Sequence, residues 1–119
     1  MATPVRALCE AEAATIASGA SLSAGVNLSG RVLAGVYMPA SWTSADLTFQ
    51  ASNDGSTWFN VYMDAAEVTV AATAATYVAI DPVAFLGVKH IKVRSGASGA
   101  AVNQAADRVL TLMLGQPSL

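Results

Sequence analysis

Residues 88–95 hold the densest group of side chains able to do chemistry: His90, Lys92 and Arg94 alternate there. Period-two spacing puts all three on one face of a strand, with Lys89, Ile91 and Val93 on the other. Such a row suits a phosphate or an acidic protein patch, and equally suits a solvated outer strand face. His90 is the chain's one histidine. It has no second histidine or cysteine near it, and Lys89 and Lys92 beside it repel cations, so it does not read as a zinc ligand. Glu10 and Glu12 lie near the start of the chain, while Asp46, Asp54, Asp64 and Glu67 are scattered over turns. General acid–base work needs two differently tuned, part-buried groups, which solvated turn acids do not supply. Serines are plentiful, but no Gly-x-Ser-x-Gly elbow activates one. These residues predict no enzyme, no metal and no cofactor.

The aromatic residues raise a second kind of chemistry. Trp42, Trp58, Tyr37, Tyr62 and Tyr77 are enough for a sugar-stacking platform. A domain with few large side chains, however, needs its rings in the core, and strand alternation turns most of these inward. Trp42 differs, because it sits among Pro39, Ser41 and Thr43 in a loop, where it is either a lid on the core or a contact residue. Trp58 follows Asp54-Gly55, a pair that tolerates positive φ at a tight turn. Asp54 and Gly55 therefore define a hairpin turn, and Trp58 packs behind it.

Short strands must position these groups. Residues 22–28, 31–38, 47–52, 57–62, 68–70, 76–80, 88–95 and 109–114 carry alternating or β-branched apolar residues, separated by Gly, Pro, Asn and Asp at the spacing of antiparallel sandwiches and barrels. Asp81-Pro82 marks one helical turn as a crossover. The stretch 96–107 reads as a loop. Residues 1–13 read as an N-terminal arm with some helix propensity, and 14–119 as one β domain. Arg6 and Leu8 are the arm's candidate contacts with a partner, since a terminal segment outside the core can take its order from what it binds.

Composition limits the partners. The 119 residues include 12% charged side chains, against roughly 25% in ordinary soluble domains, and 54% hydrophobic ones. Alanine makes up about a fifth of the chain, far above ordinary usage. A net charge of −2 offers no general attraction for nucleic acid or anionic lipid, so neither is expected as a partner. The richest apolar stretch, 68–80, is broken by Thr69, Thr73, Thr76 and Tyr77 and falls short of a membrane span. The single cysteine, Cys9, cannot make an internal disulfide, which suits a reducing compartment. With so little charge to cover it, part of the surface is expected to lie against other protein.

Several segments together resemble a known family. They are Thr15-Ile16-Ala17-Ser18-Gly19, Val36-Tyr37-Met38-Pro39-Ala40-Ser41-Trp42, Asp46-Leu47-Thr48-Phe49-Gln50-Ala51-Ser52, Ala79-Ile80-Asp81-Pro82 and Gly87-Val88-Lys89-His90-Ile91-Lys92-Val93-Arg94-Ser95. The chain from 14 to 114 is similar to small jelly-roll-like structural proteins of tailed bacteriophages. The resemblance implies an all-β antiparallel β-sandwich of jelly-roll type. It also implies a virion component on the capsid surface, made in the host cytoplasm, of the capsid decoration (cement) type or a tail or fibre accessory. The implied partners are copies of itself, as a homotrimer, and the major capsid protein lattice. A carbohydrate-binding module that stacks sugar on Trp42 or Trp58 is the rival reading.

Overall fold

The computed structural model describes residues 9–116. They form an all-β antiparallel sandwich. Its first sheet has four strands in the order β1 (Glu10–Ile16), β11 (Arg108–Gly115), β3 (Val32–Tyr37) and β8 (Tyr77–Ala79). The second runs β10 (Ala100–Ala101), β9 (His90–Ala97), β4 (Leu47–Ser52) and β5 (Phe59–Asn60), with β2 (Val26–Asn27) also paired to β9. A small ribbon of β6 (Tyr62–Met63) and β7 (Ala66–Glu67) joins the ladder of neither sheet.

Alternation explains the core. Ile16 from β1, Leu33 and Val36 from β3, and Leu110, Leu112 and Leu114 from β11 meet Leu47 and Phe49 from β4 and Ile91 and Val93 from β9, all buried. Between the sheets, Phe85 packs edge-on against Phe49 at 5.0 Å and 80°. Phe85 is held there by the one helical turn expected, a 3-10 turn over Pro82–Phe85 whose cap, Asp81, accepts a 3.0 Å hydrogen bond from the Val83 N–H. Pro82 suits that first position, since its missing N–H has no partner to lose.

The structure departs from the sequence reading in several places: the strand expected at 22–28 keeps only β2 and a bridge of Leu22 with Arg94, and that at 57–62 only β5 and the start of β6. Residues 10–13, assigned above to the arm, belong to β1 and pair in unbroken register with β11, from Glu10 with Leu114 to Ile16 with Arg108. The helix propensity of alanine is overridden because Ala14 and Ile16 bury their side chains against the core. Arg6 and Leu8 lie outside the described residues. The expected strand at 68–70 reduces to one bridge, Leu47 with Val70, and the ladder partner in that region is β7 instead. The expected loop at 96–107 begins with a tight β9–β10 hairpin, which Gly96 permits with φ 89°.

Candidate interaction surfaces

Four strands build a surface with no charge on it. Register places three cross-strand rows on the outward side of the first sheet. Ala11, Met113, Gly35 and Ala79 form one row, Ala13, Thr111, Tyr37 and Tyr77 the next, and Thr15 and Val109 the third. Side chains alternate across a strand, so these are the positions left over once Ile16, Val36, Leu110 and Leu112 point inward. Tyr37 and Tyr77 are about half exposed, at 51% and 48%, and their rings meet at 4.6 Å with a 44° tilt. The phenol of Tyr77 lies across Gly35, in space that a Cβ there would occupy. The ring is thereby laid along the sheet, and the face stays low.

The tyrosines are thus not in the core, contrary to the alternation expected for them. Tyr62 is exposed as well. The inward places that β3 and β8 offer are taken by Val36 and by the neighbouring Ile80, and the rings fall on the odd, outward positions.

The basic row on β9 is a different environment from a solvated face. Arg94 is only 7% exposed. Its guanidinium donates to Asn60 Oδ1 at 2.8 Å, to Thr48 Oγ1 at 3.3 Å and to Glu67 Oε2 at 3.4 Å. Glu67 accepts a further bond from the Ser98 N–H at 3.1 Å, so the pair ties the β6–β7 ribbon to the second sheet. Lys92 sits 4.5 Å above the Trp58 ring. His90 lies near Gly55 of the turn, where an added Cβ would meet its ring at ordinary contact distance. The turn, the ribbon and Trp58 lie against this face, so Arg94 is buried while His90 and Lys92 are half-buried.

Trp58 itself packs outside the core. Its ring is half-buried, carries Lys92 and abuts Gly25 so closely that a Cβ there would come within 2.8 Å of Cζ2. The expectation of a core ring fails because β5 is a two-residue edge strand, paired only through Gln50–Asn60 and Ala51–Phe59. Trp42 packs partly buried on the core and donates from Nε1 to the Ala45 carbonyl at 3.0 Å. Both tryptophans that a sugar site would need are therefore engaged within the fold.

The turn behaves as its residues imply. Asp54 Oδ1 accepts from the N–H groups of Ser56 at 2.8 Å and Thr57 at 2.9 Å, and from the Ser52 hydroxyl at 3.0 Å. Ser52 Oγ accepts in turn from the Gly55 N–H at 2.8 Å, and Gly55 holds φ 78°. Hydrogen bonds from Thr57 first, then Ser56 and Ser52, hold the Asp54 carboxyl below its ordinary value.

Residues without a sequence signal do the remaining polar work. Buried Gln104 donates to Ser95 Oγ at 2.7 Å and the Thr43 carbonyl at 3.0 Å, and accepts from the Thr43 N–H at 2.8 Å and Arg108 Nε at 3.1 Å. A cleft of about 450 Å³ between β7 and the 3-10 turn is lined by Met63, Val70, Ile80 and Ala84 with two carboxylates, Glu67 and Asp81. Both are committed, to Arg94 and to the Val83 N–H. Among the described residues no cluster of His, Cys, Asp and Glu is placed to hold a metal ion, and no helix is long and apolar enough to cross a membrane. No family model matches the chain, and no curated protein does.

Proposed function

We propose that this chain is a non-enzymatic structural protein that works by docking: it self-associates and binds the capsid lattice of a tailed bacteriophage as a decoration protein. One observation supports the docking part, the ten outward positions of the first sheet without a charged residue among them. A contiguous low-polarity face of this kind is often the functional one, since such patches mark interaction sites. The virion setting rests on the resemblance of residues 14–114 to phage structural proteins. That resemblance also implies three copies per assembly.

The test is co-sedimentation of the full chain with purified heads and tails of the phage whose genome encodes it. Binding to heads and not tails supports a decoration role, whereas binding to tails alone moves the protein to a tail accessory. A specific glycan-array signal with no particle binding overturns the reading in favour of a carbohydrate-binding module.

A further inference from the structure

Among the described residues, the first sheet ends at β1 in a strand that has a neighbour on one side only. β1 is seven residues long, contains no proline and pairs with β11 without a bulge. Its residues from Glu10 to Ala13 are all exposed. An edge strand of this kind presents every second N–H and C=O to whatever lies beside it, a template for another strand. The opposite edge of the sheet, β8, has three residues and offers much less.

We propose that β1 pairs antiparallel with β1 of a second copy, about a two-fold axis through Ala13. This rests on the reading of the chain as a self-associating protein, and it names the partner and the register. Only a centre at Ala13 pairs all seven residues: Glu10 faces Ile16 of the second copy, Ala11 faces Thr15, and Glu12 faces Ala14. That register also sets no carboxylate opposite another. A centre at Glu12 opposes Glu12 to its own copy, and a centre at Ala11 opposes Glu10 to Glu12, both of which like-charge repulsion disfavours. Glu10 is in addition neutralised by Arg31, whose Nη2 lies 3.0 Å from its carboxylate. Glu12 and its copy then stand on a diagonal, roughly 7 to 8 Å apart.

The pairing changes what the uncharged face can do. One copy's outward face measures roughly 20 by 20 Å from strand spacing and rise, about 400 Å². A stable interface needs about 800 Å² per partner. Joining two four-stranded sheets edge to edge makes one continuous eight-stranded sheet with its uncharged faces side by side, which reaches that size. A two-fold contact is isologous, so it needs one self-complementary strand and no second site. It differs from the three-fold arrangement that the resemblance implies, and the two are separable by experiment.

Cysteine cross-linking of the full chain tests the register. In a Cys9→Ser background, Ala13→Cys is incubated at micromolar concentration with diamide as oxidant, which joins two facing thiols as a disulfide. The expected result is a covalent dimer that forms roughly tenfold faster than with Thr111→Cys in the centre of the same face, because only facing residues meet the distance limits of the bond. Ala11→Cys and Thr15→Cys, made separately, should cross-link to each other on mixing. This second arm holds if Ala13→Cys fails to fold. Preferential cross-linking at Thr111 assigns the contact to face packing and overturns the pairing, and so does cross-linking of Ala13→Cys to Ala79→Cys across unlike edges. An oligomer by light scattering without cross-links at 13, or 11 with 15, overturns the pairing alone; a monomer overturns self-association as well.

Discussion

Arg94 and Glu67 form an ion pair at 3.4 Å with side chains only 8% and 13% exposed. Each is also hydrogen-bonded elsewhere, Arg94 to Asn60 and Thr48, and Glu67 to the Ser98 N–H. A buried pair of this kind is costly to break from one side, because the remaining charge keeps its desolvation penalty without its partner. Glu67→Ala should therefore lower stability by about 3 kcal/mol. Denaturant unfolding at neutral pH checks this, and a loss no larger than that of a surface substitution would place Arg94 in water.

Gly55 holds φ 78° with room for a Cβ, which would meet the His90 ring at ordinary contact distance. The cost of replacing it is then backbone strain rather than a clash. Gly55→Val should destabilise by about 1 to 3 kcal/mol, read as a lower melting temperature.

The Asp54 carboxyl, held below its ordinary value by the turn N–H groups, gives a pH dependence of known sign. A carboxylate with a depressed folded-state pKa contributes stability above its unfolded pKa of about 3.9, and that contribution is lost as the pH falls through the folded value. Asp54→Asn should melt lower than wild type at pH 7 and approach it as the pH drops below 4. Parallel melting curves across that window would contradict the assignment.

Trp58 rests on Gly25 and under Lys92 rather than in the core. Trp58→Ala should consequently cost about 1 to 2 kcal/mol, less than the 3 to 5 typical of removing a core aromatic. Thermal melts decide between the two values.

The outward face allows a separation of docking from folding. Thr111 lies between Ala13 and Tyr37 in the middle row, half-buried by its neighbours, and contributes nothing to the core between the sheets. Thr111→Glu should leave the fold intact by circular dichroism, with a stability change within about 1 kcal/mol, and should abolish co-sedimentation with particles. Unaltered particle binding would show that the face is not the docking surface.

Much of the sandwich was legible in period-two alternation. Residues 47–52 and the turn at Asp54-Gly55 appear as read, because local propensity and burial agree there. Residues 10–13 were not legible, since alanine favours helix in isolation and only pairing with β11 makes it extended. The basic row misled for a different reason: alternation gives the face of a side chain, but it does not reveal that a ribbon folds over that face and buries Arg94. The uncharged surface was anticipated only as a lack of charge. Its position depends on which strands become neighbours, and the joining of β1, β11, β3 and β8, distant in sequence, has no local signature.

The mass of the assembly, measured by light scattering coupled to size exclusion at micromolar concentration of the full chain, decides whether copies pair through β1. The expected mass is twice the 12.1 kDa of one chain, or an even multiple of it where paired copies stack further. Three copies would contradict the β1 pairing. A single 12.1 kDa species would contradict self-association itself.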